Sequence, residues 1–289
     1  MRPDRTVDIR HPLDGAYDRH MELVGTNTVI TGAAGGIGSA LAERFHAEGA
    51  TVVVSDLAGP RLQAIADRLN AIRPGSAVAV PADIGTEEGN AALVQAAEAA
   101  FGPIDLFFAN AGVGNGRDVL SPESEWDTAF AVNVHAHRWA ARYLVPGWLE
   151  RGRGYFCSTA SAAGLLSQIG GGAYSTTKHA AVGFAEWMAI TYGDAGIRVS
   201  CLCPQGVNTD MLRSGDDPTA GPASGVVRSA GRVLEPNEVA EVVVQAIRDE
   251  RFLILPHAEV HDFMQRKAAD HDRWLAGMRR LQARISGGA

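Results

Sequence analysis

The stretch TVITGAAGGIGSALAERF, residues 28–45, decides the fold. Its first residues, Thr28–Thr31, form a short apolar run that predicts a β-strand. The longer segment Ile37–Glu48 has the periodicity of an amphipathic helix. The glycine cluster between them predicts a tight turn from strand to helix, which is the first half of a β-α-β unit.

Further short apolar runs alternate with longer helical patterns along the chain. The strand-like runs are Thr51–Ser55, Ala77–Pro81, Ile104–Ala109, Tyr155–Ser158, Val199–Cys203 and Phe252–Leu255. The helical patterns are Pro60–Ile72, Glu87–Phe101, Trp126–Leu149, Ala173–Tyr192 and Glu238–Arg248. Val52, Val53 and Val54 make their strand apolar on both faces, which is typical of a parallel sheet between helical layers. The sequence therefore predicts an α/β fold, a doubly wound, Rossmann-like parallel sheet with helices on both faces, in a single domain.

The two ends of the chain differ from this pattern. We predict that residues 1–22 form a flexible N-terminal arm and that residues 23–256 form the Rossmann-type sheet domain. Residues 257–289 predict a C-terminal helical extension, in which Val260–Ile285 has the pattern of one amphipathic, arginine-rich helix. We expect this helix to pack on the domain or on a second subunit.

Composition narrows the class of function. The net charge of −7 argues against nucleic-acid binding, which requires a basic face. No apolar run reaches the roughly 18–20 residues of a membrane span, and the first residues lack the apolar core of a signal peptide, so we expect a cytoplasmic protein with no membrane partner. The cysteines, Cys157, Cys201 and Cys203, lie in apolar runs and predict reduced, buried thiols. Their spacing predicts no metal site.

The glycine cluster also predicts a ligand. Gly32 permits the tight turn, while Gly36 and Gly38 let the backbone approach a pyrophosphate and let helix and strand pack closely. The helix that begins near Ile37 offers free N–H groups and a partial positive charge to phosphates. A glycine cluster placed between a strand and a helix therefore predicts a dinucleotide site.

A carboxylate at the end of the second strand indicates which dinucleotide is bound. Asp56 lies 24 residues after Gly32, where it can accept hydrogen bonds from both hydroxyls of the adenosine ribose and repel a 2′-phosphate. Leu57 follows it, and no arginine or lysine lies in residues 33–38, so the sequence favours NAD over NADP. Further candidate cofactor contacts at the ends of the third and fourth strands are Asp83, Ile84, Asn110, Ala111 and Gly112.

Tyr174 and Lys178 are four residues apart in a helical pattern and therefore share one face. A tyrosine hydroxyl titrates near ~10. An ammonium roughly 4 Å away, at an effective dielectric of about 20, favours the phenolate by about 4 kcal/mol. We therefore predict that the pKa of Tyr174 is lowered towards neutrality, where general acid–base catalysis works best. Only two of the 26 basic residues are lysines, Lys178 and Lys267, which makes a lysine at this position notable.

Two polar residues complete the candidate catalytic set. Ser161 lies thirteen residues before Tyr174, just past the fifth strand, where its hydroxyl can donate to a substrate oxygen. Asn133 lies within an apolar helical pattern, where we expect it to hold a water that links Lys178 to solvent. Structural hydrogen bonding alone also explains either residue.

Taken together, these residues resemble the short-chain dehydrogenase/reductase family over about residues 24–256. The elements of the resemblance are Thr31-Gly32, Gly36-Ile37-Gly38, Asp83-Ile84, Asn110-Ala111-Gly112, Asn133, Ser161, Tyr174 with Lys178, and Pro204-Gln205-Gly206-Val207-Asn208-Thr209. The resemblance implies that Tyr174 is the acid/base, that Lys178 binds ribose and lowers the pKa of the tyrosine, and that Ser161 steadies the substrate oxygen. It also implies a relay water at Asn133.

The resemblance implies further contacts and a quaternary structure. Pro204, Val207 and Thr209 would border the nicotinamide, and helices such as Ala173–Tyr192 would pair between subunits of a homodimer or homotetramer. Two positions differ from the family's pattern, Ala109 in place of a first asparagine and Gln205 in place of a glycine. Gln205 places a polar side chain near the substrate.

These residues predict NAD-dependent oxidation of a secondary alcohol to a ketone. Residues 208–232, irregular from about Arg213 to Gly231, are predicted to form a lid over the small-molecule substrate. The predicted apolar pocket is lined by Leu165, Leu166, Ile169, Met211 and Leu212.

Two alternative functions stay open at this point. One is an NADPH-dependent ketone or 3-oxoacyl reductase, against which Asp56 argues. The other is a non-catalytic dinucleotide-binding sensor, which has no need of Asn133, Ser161, Tyr174 and Lys178 together.

Overall fold

A computed structural model describes residues 21–214 and 223–286 of the chain. Nearly all of the predicted N-terminal arm and residues 215–222 of the predicted lid lie outside the described residues. Met21, at the start of the described chain, packs against the hydrophobic core.

The elements alternate between strand and helix. The strands are β1 Asn27–Thr31, β2 Thr51–Asp56, β3 Ala77–Pro81, β4 Leu106–Ala109, β5 Gly154–Thr159, β6 Ile197–Leu202 and β7 Leu253–Ile254. The helices are α1 Gly36–Ala47, α2 Pro60–Ile72, α3 Glu87–Phe101, α4 Glu123–Phe130, α5 Ala136–Arg151, α6 Ala163–Leu166, α7 Gly172–Tyr192, α8 Asp210–Ser214, α9 Ala223–Ala230, α10 Pro236–Arg248, α11 Glu259–Ala269 and α12 His271–Ser286.

The strands form one parallel sheet in the order β3-β2-β1-β4-β5-β6-β7, which confirms the predicted fold class. Successive apolar residues of the inner strands enter opposite layers, because side chains alternate across a strand. Ile30 and Val54 pack in a core with α1, α2 and α10, whereas Val29 and Val53 pack in a second core with α3, α5 and α7. A strand that is apolar on both faces therefore has a helical layer on each side.

The strand order places a crevice at the carboxyl end of β1. This strand pairs with β2 on one side and β4 on the other, so the connections after β1 and β4 leave the sheet in opposite directions. Ligands of open α/β sheets bind in such a crevice. The loops that carry the predicted site residues meet at this edge.

The helix predicted over Trp126–Leu149 is longer and contains a wide turn. It begins at Glu123, as α4, and ends at Arg151, at the end of α5. Between the two helices, Ala131–His135 form a π-helical turn. Asn133 occupies this turn, and such turns occur frequently at functional sites.

The single C-terminal helix predicted over Val260–Ile285 is wrong, because Asp270 divides it into α11 and α12. Asp270 has an extended backbone, and its carboxylate accepts a hydrogen bond from the Arg273 N–H at 2.9 Å. Its carbonyl oxygen accepts from the Trp274 N–H at 3.0 Å. Asp270 thus caps a new helix in place of continuing the first.

The irregular structure predicted between Arg213 and Gly231 is also wrong for residues 223–230, which form α9. Val226 is buried in this helix beside the cavity described below. Among residues 21–214 and 223–286, no helix has the length and apolar character needed to cross a membrane.

Candidate active site

Loops at the carboxyl edge of the sheet line one open cavity of about 1080 Å³. One end lies at the turn between β1 and α1, and the other end lies against α11 and α12. Most of the predicted site residues line this cavity, and two of them, Gly38 and Asn133, do not.

The glycine turn after β1 forms the first end of the cavity. Gly32 has a φ of +65°, and a Cβ atom there would lie 2.7 Å from the Cα atom of Ala111. A Cβ atom at Gly38 would lie 2.1 Å from the carbonyl oxygen of Gly32. Gly38 therefore permits the close packing of α1 on β1, while Gly36 and Ile37 present the start of the helix to the cavity. Free N–H groups at this helix terminus suit the pyrophosphate of a dinucleotide.

Asp56 lies beside this turn at the end of β2. Its carboxylate accepts hydrogen bonds from the N–H groups of Ala34, at 3.0 Å, and Leu57, at 2.8 Å. These two donors fix the orientation of the carboxylate at the cavity wall. Arg61 also lines this end, and its guanidinium is 2.9 Å from the carboxylate of Asp210 in α8. This ion pair directs the Arg61 side chain towards Asp210, in the predicted lid.

The ends of β3 and β4 form the next part of the wall, where Asp83, Ile84, Ala111 and Gly112 line the cavity. Asn110 has a mainly structural role. Its amide nitrogen donates to the carbonyl of Thr31 at 3.0 Å, and its amide oxygen accepts from the Thr159 hydroxyl at 3.1 Å. The side chain of Asn110 therefore ties together the ends of β1, β4 and β5.

Tyr174 and Lys178 lie on the face of α7 that borders the cavity. The Lys178 Nζ is 5.7 Å from the centre of the Tyr174 ring and donates to the Thr159 carbonyl at 2.8 Å. Gly112 makes room for this ammonium, because a Cβ atom at that position would lie 3.1 Å from the Lys178 Nζ. Gly164 lets α6 approach α7, since a Cβ atom there would lie 2.5 Å from the Lys178 carbonyl oxygen.

The electrostatics of this pair differ from the sequence-based expectation. Burial lowers the pKa of Lys178 to about 8, because desolvation penalises the ammonium. Burial also raises the pKa of Tyr174, while a hydrogen bond with Ser161 acts in the lowering direction. Desolvation of the phenolate, which the sequence does not reveal, therefore opposes the lowering that we expected from Lys178. His137 is buried nearby, and its pKa falls to about 3 because of desolvation and of Lys178.

Ser161 follows β5 and lines the cavity beside Tyr174. Its hydroxyl accepts a hydrogen bond from the Ala163 N–H at 3.1 Å and lies 3.4 Å from the Pro204 carbonyl oxygen. The serine is thus oriented by the first turn of α6 and by the loop after β6.

Asn133 is fully buried, behind the cavity wall. Its amide nitrogen donates to the Val113 carbonyl at 2.9 Å and to the Thr177 hydroxyl at 3.1 Å. Its amide oxygen accepts from the Val113 N–H at 2.9 Å. The side chain therefore joins the loop after β4 to Thr177 of α7, the residue before Lys178. The water expected at Asn133 stays a prediction.

The loop after β6 closes the cavity opposite the glycine turn. Pro204, Val207 and Thr209 line it, and a Cβ atom at Gly36 would lie 3.0 Å from the Thr209 methyl carbon. Gln205 also lines the cavity, and its side-chain oxygen is buried with no hydrogen-bond partner among the described residues.

Four of the five residues predicted to form the apolar pocket line the cavity: Leu166, Ile169, Met211 and Leu212. Leu165 is not among the lining residues. It packs beside Val260, and its carbonyl oxygen accepts a hydrogen bond from the Lys267 Nζ at 2.6 Å.

Sequence reasoning missed the contribution of the C-terminal extension. Five of its residues line the far end of the cavity: Phe263, Arg266, Trp274, Met278 and Leu281. Three of them, at positions 274, 278 and 281, have the spacing of one helix face, but this periodicity does not specify which surface that face covers.

Known proteins are similar to this chain. The profile of the family described as short chain dehydrogenase matches residues 26–219. The chain is 35% identical over 233 residues to the 2,5-dichloro-2,5-cyclohexadiene-1,4-diol dehydrogenase of Sphingobium indicum, which covers 79% of this chain and 92% of that protein. It is 33% identical over 226 residues to the cyclohexanol dehydrogenase of an Acinetobacter species, which covers 77% of this chain and 87% of that protein.

A solved structure is also similar to this chain in fold and sequence. The short chain dehydrogenase/reductase of Burkholderia phymatum in complex with NAD has a TM-score of 0.78 and 31% sequence identity. The match covers 87% of this chain and 96% of that chain.

The contacts of Asn133 lead to a first prediction. Replacement of Asn133 by alanine removes three hydrogen bonds and leaves the Val113 N–H and carbonyl without partners. We expect a loss of about 2–3 kcal/mol in the free energy of unfolding and a lower kcat of the folded enzyme, since the loop beside Lys178 is released. Urea denaturation and steady-state kinetics measure the two effects.

Asn70 offers a matched control, since its side chain likewise makes three hydrogen bonds. In Asn70 all three go to backbone groups of Ser76 and Ala77, at the amino end of β3. Asn70→Ala should lose similar stability and keep kcat. Equal kcat values for the two variants at equal folded fractions would contradict the role given to Asn133.

Proposed function

This chain belongs to the short-chain dehydrogenase/reductase family, and from that premise we propose that it oxidises a secondary alcohol to a ketone with NAD. Family membership makes it an oxidoreductase of alcohol or ketone substrates that binds a nicotinamide dinucleotide. One observation carries the finer proposal: Ser161, Tyr174 and Lys178 line a single cavity with the glycine turn and Asp56. A candidate proton acceptor and a candidate dinucleotide-binding turn therefore border the same cavity.

The glycine turn between β1 and α1 leaves room for a dinucleotide to contact the backbone. Side chains at Gly32 and Gly38 would collide with neighbouring main-chain atoms, so these positions keep the start of α1 open to a pyrophosphate. Asp56 would accept hydrogen bonds from the adenosine ribose, and Val207 and Thr209 would border the nicotinamide. When bound, the oxidised nicotinamide supplies the hydride acceptor and a positive charge that favours the phenolate of Tyr174.

In this proposal, residues of this chain remove the hydroxyl proton of the substrate and stabilise the resulting charge. Oxidation removes one hydride and one proton from the alcohol, and Tyr174 accepts the proton from the substrate hydroxyl. Ser161 donates a hydrogen bond to the same substrate oxygen and holds it beside the tyrosine. The Lys178 ammonium, held by the Thr159 carbonyl, stabilises the charged tyrosine and binds the nicotinamide ribose. Asn133 acts as a positioning residue through the Val113 loop.

The charges around Asp56 favour NAD over NADP. The carboxylate at the end of β2 would repel a 2′-phosphate, and Arg61 is paired with Asp210 across the cavity. The alternative, an NADPH-dependent ketone or 3-oxoacyl reductase, would need a cationic side chain for the 2′-phosphate, and Arg61 lies in the lining of the cavity. Release of Arg61 from Asp210 would give a 2′-phosphate a cationic partner.

The substrate end of the cavity favours an apolar alcohol. Leu166, Ile169, Met211 and Leu212 provide an apolar wall next to Tyr174. Two relatives are named for the oxidation of a cyclic diol and of cyclohexanol. We therefore propose a secondary alcohol with an apolar, ring-containing skeleton.

We further propose a homodimer or homotetramer in the cytoplasm. Trp187 and Ile190 of α7 are 51% and 83% exposed, which is unusual for large apolar side chains on one helix and fits burial against a second subunit. Sedimentation equilibrium should give a mass of two or four chains, and a monomer at micromolar concentration would contradict this. The free, buried thiols of Cys157, Cys201 and Cys203 fit a reducing compartment.

The mechanism predicts the effect of removing one hydroxyl. With cyclohexanol as the test alcohol, Tyr174→Phe should lower kcat by about 10²–10⁴, because the proton acceptor is lost, while affinity for the dinucleotide changes little. Reduction of NAD⁺, followed by absorbance, measures the rate.

Tyr155→Phe is the control for this variant, since Tyr155 is also buried and its hydroxyl contacts the Ser200 hydroxyl at 2.8 Å, away from the cavity. This variant should keep kcat. A Tyr174→Phe enzyme as active as Tyr155→Phe would contradict the role of the tyrosine.

Asp56 is tested by calorimetric binding of NAD⁺ and NADP⁺ to the full chain. We expect the wild type to prefer NAD⁺ by about tenfold or more, which corresponds to about 1.4 kcal/mol, and Asp56→Ala to lose the preference. Asp67→Ala removes an exposed carboxylate on α2 and should keep it. Tighter binding of NADP⁺ by the wild type would favour the reductase alternative, and binding of neither would favour the sensor alternative.

A further inference from the structure

The C-terminal extension closes the substrate end of the cavity, although it lies beyond residues 26–219, which match the family profile. Its attachment begins at His257, which is buried. The Nδ1 of His257 accepts a hydrogen bond from the Gln205 N–H, and its Nε2 donates to the Gly206 carbonyl, each at 3.1 Å. The start of the extension is therefore bonded to the loop that borders the nicotinamide end of the cavity.

Two further contacts fix α11 on the active-site side of the sheet. Val260 is fully buried in a cluster with Ala162, which follows Ser161, and Leu166, which is the last residue of α6. Lys267, seven residues later, donates to the Leu165 carbonyl. The position of α11 is thus set against the same short helix that orients Ser161.

The helices present an apolar surface with one charge to the cavity. Phe263 and Trp274 lie with ring centres 6.3 Å apart, and Met278 and Leu281 extend this surface along α12. Arg266 lies one turn after Phe263, with its guanidinium carbon 5.7 Å from the centre of that ring. The aromatic ring supports the guanidinium while leaving its N–H donors open to a ligand.

The charge of Arg266 is not matched within the described part of the chain, where it makes no hydrogen bond or ion pair. Among the described residues, three carboxylates line the cavity, and all three belong to other regions. Asp56 and Asp83 follow β2 and β3, and Asp210 pairs with Arg61. The far end of the cavity is therefore apolar and cationic.

We propose that Arg266 recognises a carboxylate on the substrate, so that the preferred substrate is an apolar secondary alcohol or ketone with an acid group distant from the reacting carbon. This inference rests on the proposed function. A guanidinium matches the two oxygens of a carboxylate with parallel hydrogen bonds, and the apolar wall between Tyr174 and Arg266 suits the hydrocarbon skeleton. Binding at both ends orients the alcohol towards Tyr174.

Binding of a non-reacting pair of probes tests the site directly. Octanoate and octanamide have the same chain and differ in the charge of the head group. In calorimetric titrations of the full chain with saturating NAD⁺, the wild type should bind octanoate about tenfold more tightly than octanamide, as expected for charge-assisted hydrogen bonds from the exposed guanidinium of Arg266. Arg266→Gln should abolish the preference, and Arg266→Lys should retain part of it.

Arg279→Gln provides the matched control, because Arg279 is an exposed arginine of α12 that does not line the cavity. It should bind octanoate as the wild type does. Equal affinity of the wild type for octanoate and octanamide, or a preference that survives in Arg266→Gln, would overturn the inference.

Turnover distinguishes failure of this inference from failure of the proposed function. The substrates are long-chain acids with a hydroxyl at the penultimate carbon, their methyl esters, and cyclohexanol. We expect wild type to have a higher kcat/KM for the acids than for the esters, and Arg266→Gln to lose this difference, whereas Arg279→Gln should keep it. Oxidation of cyclohexanol and esters without any preference for acids would refute the role of Arg266 alone. A preference for octanoate in the binding test, with none of these alcohols oxidised, would support the acid site and refute the proposed activity.

Discussion

The contact between α1 and β1 determines how the rest of the site is assembled. A Cβ atom at Gly38 would stand 2.1 Å from the carbonyl oxygen of Gly32, so the helix can lie this close to the strand only without a side chain there. The close packing brings the helix terminus to the crevice between β1 and β4. Asn110 then bonds to the Thr31 carbonyl and fixes the neighbouring strand end. A site for phosphates is thus built almost entirely from backbone.

The opposite side of the crevice depends on a buried charge. Lys178 is 2% exposed, and a buried ammonium destabilises a fold unless hydrogen bonds and charges compensate it. Here the Thr159 carbonyl and the Tyr174 ring provide that compensation, and the pKa of the lysine still falls to about 8. A cation retained at such cost beside a tyrosine is typical of a functional site. The bonds of Asn133 hold the covering loop in place and so preserve this arrangement.

The sequence predicted the sheet well, and the residues predicted around the β1–α1 turn and after β2 meet at one cavity, because their signals are local. Strand periodicity, the glycine cluster and a carboxylate after β2 each lie within a few consecutive residues. The predictions were less successful for helix boundaries, side-chain directions and pKa values, because tertiary contacts determine these features. The side chain of Asp270 competes for a helix N–H and breaks a pattern that looked continuous. Leu165 turns towards the C-terminal extension, and burial raises the pKa of Tyr174 against the effect expected from Lys178. None of these outcomes follows from periodicity or spacing.

The two ends of the cavity therefore differ in how the chain encodes them. At the cofactor end, the contacts come from main-chain groups and short side chains at strand ends, which one parallel sheet brings together by its topology. At the substrate end, side chains from α6, α8, α9, α11 and α12 meet over large separations, and the bond from Lys267 to Leu165 spans 102 residues. Because α11 and α12 attach through a few contacts at His257, Val260 and Lys267, their lining residues can vary in shape and charge without altering the packing of α1 on β1. One end of the cavity is therefore formed by strand ends of the sheet, and the other end is formed by helices added to the edge of the sheet.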